Sequence, residues 1–131
     1  MPPASPGPKR VLLVEDERHI IESLVFVLER EGFAVTSVLD GEAAMLRLRS
    51  EPPDVLILDI MLPRMNGLEV LKQVRADAAL RELPVVVLSA KGQPQDRRRA
   101  EEIGVQAFMT KPFANTDVVD AVRRVTGTAA A

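Results

Sequence analysis

Short apolar runs alternate with longer amphipathic stretches along the whole chain. Five runs have the length and the content of β-branched residues that strands prefer: VLLVE (11–15), FAVTSV (33–38), DVLILD (54–59), PVVVLS (84–89) and VQAFM (105–109). The first run is continuously apolar, which is typical of a strand buried on both faces. The second run alternates, and we expect it at an edge of the sheet.

Each strand is followed by a stretch with apolar residues at helical spacing. The predicted helices run over 17–31, from Asp40 to about Ser50, from about Asn66, over roughly 95–103, and from after Pro112 to Gly127. Gly32 and Pro52-Pro53 stand where the first two helices should end, and Asp40 is a residue type that caps helices. This strict alternation predicts a flavodoxin-like (βα)5 fold: a doubly wound parallel sheet between two helical layers, with strand order 2-1-3-4-5.

Composition excludes several classes of protein. The 131 residues are 47% hydrophobic and 27% charged, with no cysteine and a net charge of −2. Disulfides and zinc–thiolate sites are therefore excluded, and no global charge attracts nucleic acid or a membrane. No apolar run is long enough to span a bilayer, and prolines occupy the N-terminus where a signal peptide needs an apolar core. We expect a cytoplasmic protein with a disordered arm at 1–8, one folded domain at 9–127 and a flexible tail at 128–131.

The predicted strand tips carry the chemistry. In such a sheet, ligands bind beyond the carboxyl ends of the strands. There the sequence places three carboxylates, a hydroxyl and an ammonium, with the small Ala90 beside them: Glu15, Asp16, Asp59, Ser89 and Lys111. Two unit charges about 4 Å apart repel by roughly 4 kcal/mol near a protein surface, so this cluster requires a counter-charge. An all-oxygen donor set favours Mg²⁺, with Mn²⁺ as a possible substitute, and Mg²⁺ commonly shares its shell with a phosphoryl group.

Four motifs on these elements, VLLVEDE, LILDIMLPRMNG, VVVLSA and AFMTKPF, resemble the receiver domain of bacterial two-component response regulators, from Lys9 to Thr126. The resemblance implies that Asp59 is the phosphoacceptor and that Ser89 and Lys111 bind the phosphoryl oxygens. It further implies that a metal ion is held by Glu15, Asp16, Asp59 and the backbone carbonyl of Met61. Three positions would be structural: Pro63, Gly67 and Pro112, which follows a cis peptide bond. Ser89 and the aromatic Phe108 would form the conformational switch.

The implied function is a phosphorylation-activated switch rather than a turnover enzyme. The phosphoryl donor would be a histidine kinase or a histidine phosphotransfer domain, and the response would alter a protein-binding face made by helix 4, strand 5 and helix 5. A phosphohydrolase of the haloacid dehalogenase type is a weaker alternative, because it requires a second Asp where Met61 stands. A flavin or nucleotide module would require a glycine-rich loop where Glu15-Asp16-Glu17 stands. The sequence leaves open a stand-alone, CheY-like receiver or a receiver cut from a longer regulator.

Several residues have ordinary interpretations. Arg97-Arg98-Arg99 indicates a solvated face on a weakly anchored helix, and His19 indicates an exposed helical histidine. Asp16 could cap the first helix as well as bind metal. Buried packing is the simplest role for Phe108; because it lacks a hydroxyl, we expect its ring to favour the buried orientation even without phosphate.

Overall fold

The computed structural model describes residues 7–90 and 94–127, and within them strands and helices alternate as predicted. The elements are β1 (Arg10–Val14), α1 (Arg18–Arg30), β2 (Ala34–Val38), α2 (Gly41–Ser50), β3 (Val55–Asp59), α3 (Gly67–Ala76), β4 (Val85–Ser89), α4 (Pro94–Ile103), β5 (Ala107–Thr110) and α5 (Asn115–Thr126). No helix among these residues is long and apolar enough to cross a membrane. Residues 1–6 and 128–131 lie outside the described part, so the arm and the tail stay predictions.

The five strands form one parallel sheet in the order β2-β1-β3-β4-β5, which confirms the predicted topology. The central strand β3 pairs with β1 on one side and with β4 on the other. Consequently Asp59, its last residue, lies between the ends of β1 and β4. The alternating strand β2 is at the edge, where Thr36 and Ser37 are exposed.

The sheet is buried on both faces, because successive residues of a strand point to opposite sides. In β3, Leu56 and Leu58 belong to a core cluster shared with α2, α3 and α4. Val55 and Ile57 belong to a second cluster shared with α1 and α5. The continuous apolar run of β3 is therefore explained by a helical layer on each face.

Side-chain caps fix the beginnings of two helices. Asp40 Oδ1 accepts a hydrogen bond from the Ala43 amide at 2.8 Å, as its residue type predicted. Asn66 Oδ1 does the same for the Leu68 amide at 2.7 Å. Helix α1 differs: Glu17 occupies its N-cap position without a side-chain hydrogen bond, so the expectation that Asp16 caps this helix is wrong.

The predicted start of β5 at residue 105 is two residues too early. Gly104 has a φ of 118°, in the left-handed region, and the chain turns there after α4. The backbone amide of Gln106 then donates to the Val85 carbonyl at 3.0 Å. The side-chain oxygen of Gln106, Oε1, accepts from the Val85 amide at 2.7 Å. Since a side-chain oxygen bonds to the Val85 amide, regular strand structure begins only at Ala107.

One arginine joins three segments in a way that the sequence did not indicate. The guanidinium of Arg75 donates to the carbonyls of Gly104, Arg81 and Leu83 at 3.0, 2.9 and 2.7 Å. It also donates to Gln106 Oε1 at 3.0 Å. The end of α3 is thereby fastened to the connection that precedes β4 and to the connection that precedes β5.

Candidate functional site

Three carboxylates meet at the carboxyl edge of the sheet, as the strand order predicted. One oxygen from each of Glu15, Asp16 and Asp59 lies within 4.8 Å of the others. Glu15 follows β1, and Asp59 ends the neighbouring β3; both side chains are buried, whereas Asp16 is exposed. Buried carboxylates at this separation repel strongly and need compensation.

Lys111 supplies part of that compensation from the loop after β5. Its ammonium lies 3.1 Å from Glu15 Oε1 and 3.3 Å from Asp59 Oδ2. It also lies 3.6 Å from Glu17 Oε1. One ammonium cannot neutralise two buried carboxylates and an adjacent exposed one, so the site keeps an excess of negative charge.

Backbone amides hold the two buried carboxylates in place. The amides of Asp16 and Glu17 donate to Glu15 Oε2 at 3.1 and 3.0 Å, and the Met61 amide donates to Asp59 Oδ1 at 3.2 Å. The other Glu15 oxygen, Oε1, is buried and accepts no hydrogen bond from a described residue, although the Lys111 ammonium is close. Within the described part of the chain, this buried oxygen is therefore held only by its ion pair with Lys111, and its lone pairs remain available to a metal ion.

The pKa values reflect this crowding. Burial, helped by the Asp59 charge, raises the pKa of Glu15 from 4.5 to about 7. Burial also raises the pKa of Asp59, against the opposing effect of Lys111. For Lys111 burial acts to lower the pKa, but the Asp59 and Glu15 carboxylates outweigh it and the net change is upward. The ammonium therefore remains charged while both acids resist ionisation.

This donor set fits a hard divalent cation. It consists of carboxylate oxygens without nitrogen or sulfur, which Mg²⁺ and Mn²⁺ prefer, and it contains Glu15 Oε1, which accepts no hydrogen bond from a described residue. Glu15, Asp16 and Asp59 are the side chains that would hold the ion. A divalent charge there would relieve the repulsion that Lys111 leaves uncompensated.

Ser89 lies at the end of β4 beside Asp59 and is buried. Its hydroxyl donates to the Ala90 carbonyl at 3.1 Å, and its own carbonyl accepts from the Lys111 amide at 2.8 Å. The backbone of the Lys111 loop is thus tied directly to Ser89. The peptide bond between Lys111 and Pro112 is cis.

The loop from β3 to α3 turns sharply beside Asp59. The Gly67 amide donates to the Ile60 carbonyl at 2.9 Å. A Cβ atom at Gly67 would lie 2.3 Å from the Asp59 carbonyl oxygen, so only glycine permits this close approach. The loop also carries Met61, whose side chain is exposed, and Pro63, whose carbonyl accepts from the Met65 amide at 2.7 Å.

The remaining predicted positions lie outside this cluster. Phe108 on β5 is half-buried, and the guanidinium carbon of Arg97 lies 5.1 Å from the centre of its ring. The expected preference of the ring for a buried orientation with and without phosphate stays a prediction. His19 and the three arginines Arg97-Arg98-Arg99 are exposed, as predicted.

A cleft of about 440 Å³ opens beside Lys111. Helix α1 contributes His19 and Ile20, and the loop after β5 contributes Pro112 and Phe113. Ala90 and Lys111 also line the cleft, so it lies beside the residues of the candidate site.

The comparisons with known proteins agree with this geometry. The family model described as the response regulator receiver domain matches residues 11–123. The phosphate regulon transcriptional regulatory protein PhoB of Klebsiella pneumoniae is 39% identical over 117 residues, which are 89% of this chain and 51% of that protein. The alkaline phosphatase synthesis transcriptional regulatory protein PhoP of Bacillus subtilis is 38% identical over 117 residues, 89% of this chain and 48% of that protein. The chain spans about half the length of the curated relatives it matches.

Solved structures give the same result. The chemotaxis response regulator CheY4 of Vibrio cholerae superimposes with a TM-score of 0.84 at 26% identity, covering 90% of this chain and 98% of that one. The receiver domain of NtrX from Brucella abortus gives a TM-score of 0.82 at 28% identity, covering 91% of this chain and 99% of that one. A doubly wound parallel sheet with an acidic pocket at its carboxyl edge thus defines the class. The chain belongs to the response regulator receiver domain family of two-component systems, whose members are signalling switches rather than turnover enzymes.

Proposed function

We propose that this protein accepts a phosphoryl group on Asp59 from a histidine kinase or a histidine phosphotransfer protein, in a reaction that depends on Mg²⁺. The observation that carries the proposal is the contact between the buried Asp59 carboxylate and Lys111, at 3.3 Å, within the cluster of Glu15, Asp16 and Asp59. A nucleophilic carboxylate, a fixed ammonium and a set of cation-binding oxygens are the groups that phosphoryl transfer to an aspartate requires.

Asp59 acts as the nucleophile in this mechanism. One of its oxygens forms a bond to phosphorus while the bond from phosphorus to the donor imidazole nitrogen breaks, and that electron pair returns to the imidazole. The Met61 amide keeps the Asp59 carboxylate oriented through its hydrogen bond to Oδ1. Bound at the carboxylates and the Met61 carbonyl, Mg²⁺ would supply positive charge near the phosphoryl oxygens.

Lys111 and Ser89 then stabilise the product. The Lys111 ammonium already pairs with Asp59 Oδ2, so it is placed to bind an oxygen of a phosphoryl group attached to that carboxylate. The Ser89 hydroxyl, now bonded to the Ala90 carbonyl, would turn to donate to a phosphoryl oxygen. Because the Lys111 amide is bonded to the Ser89 carbonyl, a movement of either residue displaces both loops.

The donor would approach through the 440 Å³ cleft between α1 and the loop after β5. Lys111 lines this cleft and pairs with Asp59, so a phosphorylated imidazole bound there would lie near the acceptor. The response would reach a partner protein through the face formed by α4, β5 and α5. Helix α4 suits such a role, since Ala100 is its one buried residue among those described.

Incubation with acetyl phosphate and Mg²⁺, followed by intact mass measurement, tests the proposal. We expect one phosphate adduct that hydroxylamine removes, and none in Asp59→Ala. The matched control is Asp120→Asn on the exposed side of α5, which should be phosphorylated like the parent protein. An adduct that persists in Asp59→Ala, or its absence in the parent protein, would contradict the assignment.

A further inference from the structure

Helix α4 is linked to β5 through a stack of three side chains. The Arg97 guanidinium carbon lies 5.1 Å from the ring centre of Phe108. Arg97 Nε also donates to Glu101 Oε2 at 3.1 Å, one helical turn further along α4. The ion pair orients the guanidinium, which leaves the flat face of the group free to lie over the ring.

This group of side chains lies close to Ser89 and Lys111 along the sheet. Phe108 on β5 is three residues before Lys111, which follows the strand, and it pairs in register with Val87, two residues before Ser89. The core beneath the ring includes Ala100 of α4. A change at Ser89 and Lys111 therefore has a short route along β5 to Phe108, and from Phe108 through Arg97 to α4.

We propose that Arg97, oriented by Glu101, is a positioning residue that holds the Phe108 ring in its half-buried orientation and so biases the protein towards the unphosphorylated state. The proposal requires a different ring orientation in the phosphorylated protein, in contrast to the expectation from the sequence of one buried orientation in both states. The inference rests on the proposed function, because it concerns how readily that site responds to a phosphoryl group. Arg97 does not contact the site; it acts through the ring. Phe108 has no hydroxyl that could form a polar contact, and the Arg97 guanidinium supplies such a contact to the ring instead.

The size of the bias follows from the exposure of the contact. The Arg97 side chain is 56% exposed, and a cation–π contact at such a site stabilises by about 0.5–1 kcal/mol, which is about a twofold to fivefold change in an equilibrium constant. A ligand that binds the other orientation of the ring should therefore bind about twofold to fivefold more tightly when Arg97 is removed.

Fluorine NMR of protein labelled with fluorophenylalanine tests the contact. The chain has four phenylalanines and neither tryptophan nor tyrosine, so four resonances are expected, and Phe108→Leu identifies the relevant one. Arg97→Gln should shift the Phe108 resonance, and Glu101→Gln should shift it in the same direction by less. The matched control is Arg98→Gln, the same charge change on the adjacent exposed residue, which should leave the resonance in place.

Titration with beryllofluoride in the presence of Mg²⁺ then tests the bias, since this anion mimics a phosphoryl group on a carboxylate. Arg97→Gln should lower the midpoint about twofold to fivefold relative to both the parent and Arg98→Gln. Equal midpoints for the two variants, a higher midpoint for Arg97→Gln, or an unchanged Phe108 resonance would overturn the inference. Should the parent protein fail to bind beryllofluoride, the proposed function fails, while the resonance of the unliganded variants still decides whether Arg97 holds the ring.

Discussion

Replacing Asp59 by asparagine should stabilise the metal-free protein while it abolishes phosphorylation. Asparagine keeps an oxygen that can accept the Met61 amide at 3.2 Å, and it preserves the shape of the side chain. What it removes is a charge that is 3% exposed. The substitution therefore isolates the electrostatic cost of the site from its packing.

The magnitude follows from the distances. With an effective dielectric constant of about 20, the attraction between Lys111 and Asp59 at 3.3 Å is about 5 kcal/mol. Above the raised pKa of Glu15, where both carboxylates are ionised, the repulsion between Asp59 and Glu15, whose oxygens lie within 4.8 Å, is about 3.5 kcal/mol or more. The exposed Asp16 adds a weaker, screened repulsion. Since these terms nearly cancel, burial of the Asp59 charge decides the sign, in agreement with the raised pKa of this group.

We expect Asp59→Asn to raise the free energy of unfolding by about 1–3 kcal/mol in EDTA, measured by urea denaturation. Mg²⁺ at ten times its dissociation constant should stabilise the parent by about 1.4 kcal/mol and the variant by much less. Asp120→Asn, an exposed change of the same kind, should match the parent in both conditions. Destabilisation of the metal-free Asn variant by 1 kcal/mol or more, or an equal response to Mg²⁺, would refute the electrostatic account.

Three further predictions concern pH and structure. Because the pKa of Glu15 is raised from 4.5 to about 7 on folding, the metal-free protein should lose up to about 3 kcal/mol of stability as pH rises from 4.5 to 7, and a flat profile by urea denaturation would contradict this. Gly67→Ala places a Cβ 2.3 Å from the Asp59 carbonyl oxygen, so it should lower the free energy of unfolding by about 1–3 kcal/mol; an unchanged urea midpoint would show that the loop relaxes freely. Arg75→Lys loses the planar donor set of four hydrogen bonds and should cost about 2–3 kcal/mol in the same assay, whereas the exposed Arg124→Lys should cost nothing, and equal effects would refute the special role of Arg75.

The sequence was sufficient for the architecture and for the members of the site. Strand β3 reads as a continuous apolar run because both faces are covered, and its final residue, Asp59, must then lie at the carboxyl edge. Glu15 follows from the same reasoning one strand away. These inferences need only the period of the pattern, which is a local property of the chain, and the general connection rules that predict the order of the strands.

The contacts of long side chains could not be predicted in this way. Arg75 bonds to the Gly104 carbonyl 29 residues away, and Arg97 meets Phe108 on another element. Such contacts depend on side-chain torsions and on the path of connecting loops, which no periodicity encodes. The two-residue error at the start of β5 has the same origin, since the Gln106 side chain takes a hydrogen bond that a regular strand would have used.

The instability of the site and its capacity to signal have one physical cause. With all three carboxylates ionised, one ammonium would leave an excess of two negative charges in a region where Glu15 and Asp59 are buried, and the raised pKa values of these two acids reflect the cost of ionising them there. In the proposed mechanism a divalent cation would cancel that excess, and a phosphoryl group would then restore negative charge at a new position, within reach of Lys111 and Ser89. Each step would change which partner Lys111 prefers, and the Lys111 amide is bonded to the end of β4. The charge that makes the metal-free fold less stable is thus the same charge that couples the site to its surrounding loops, and stabilising the site by removing it should silence the switch.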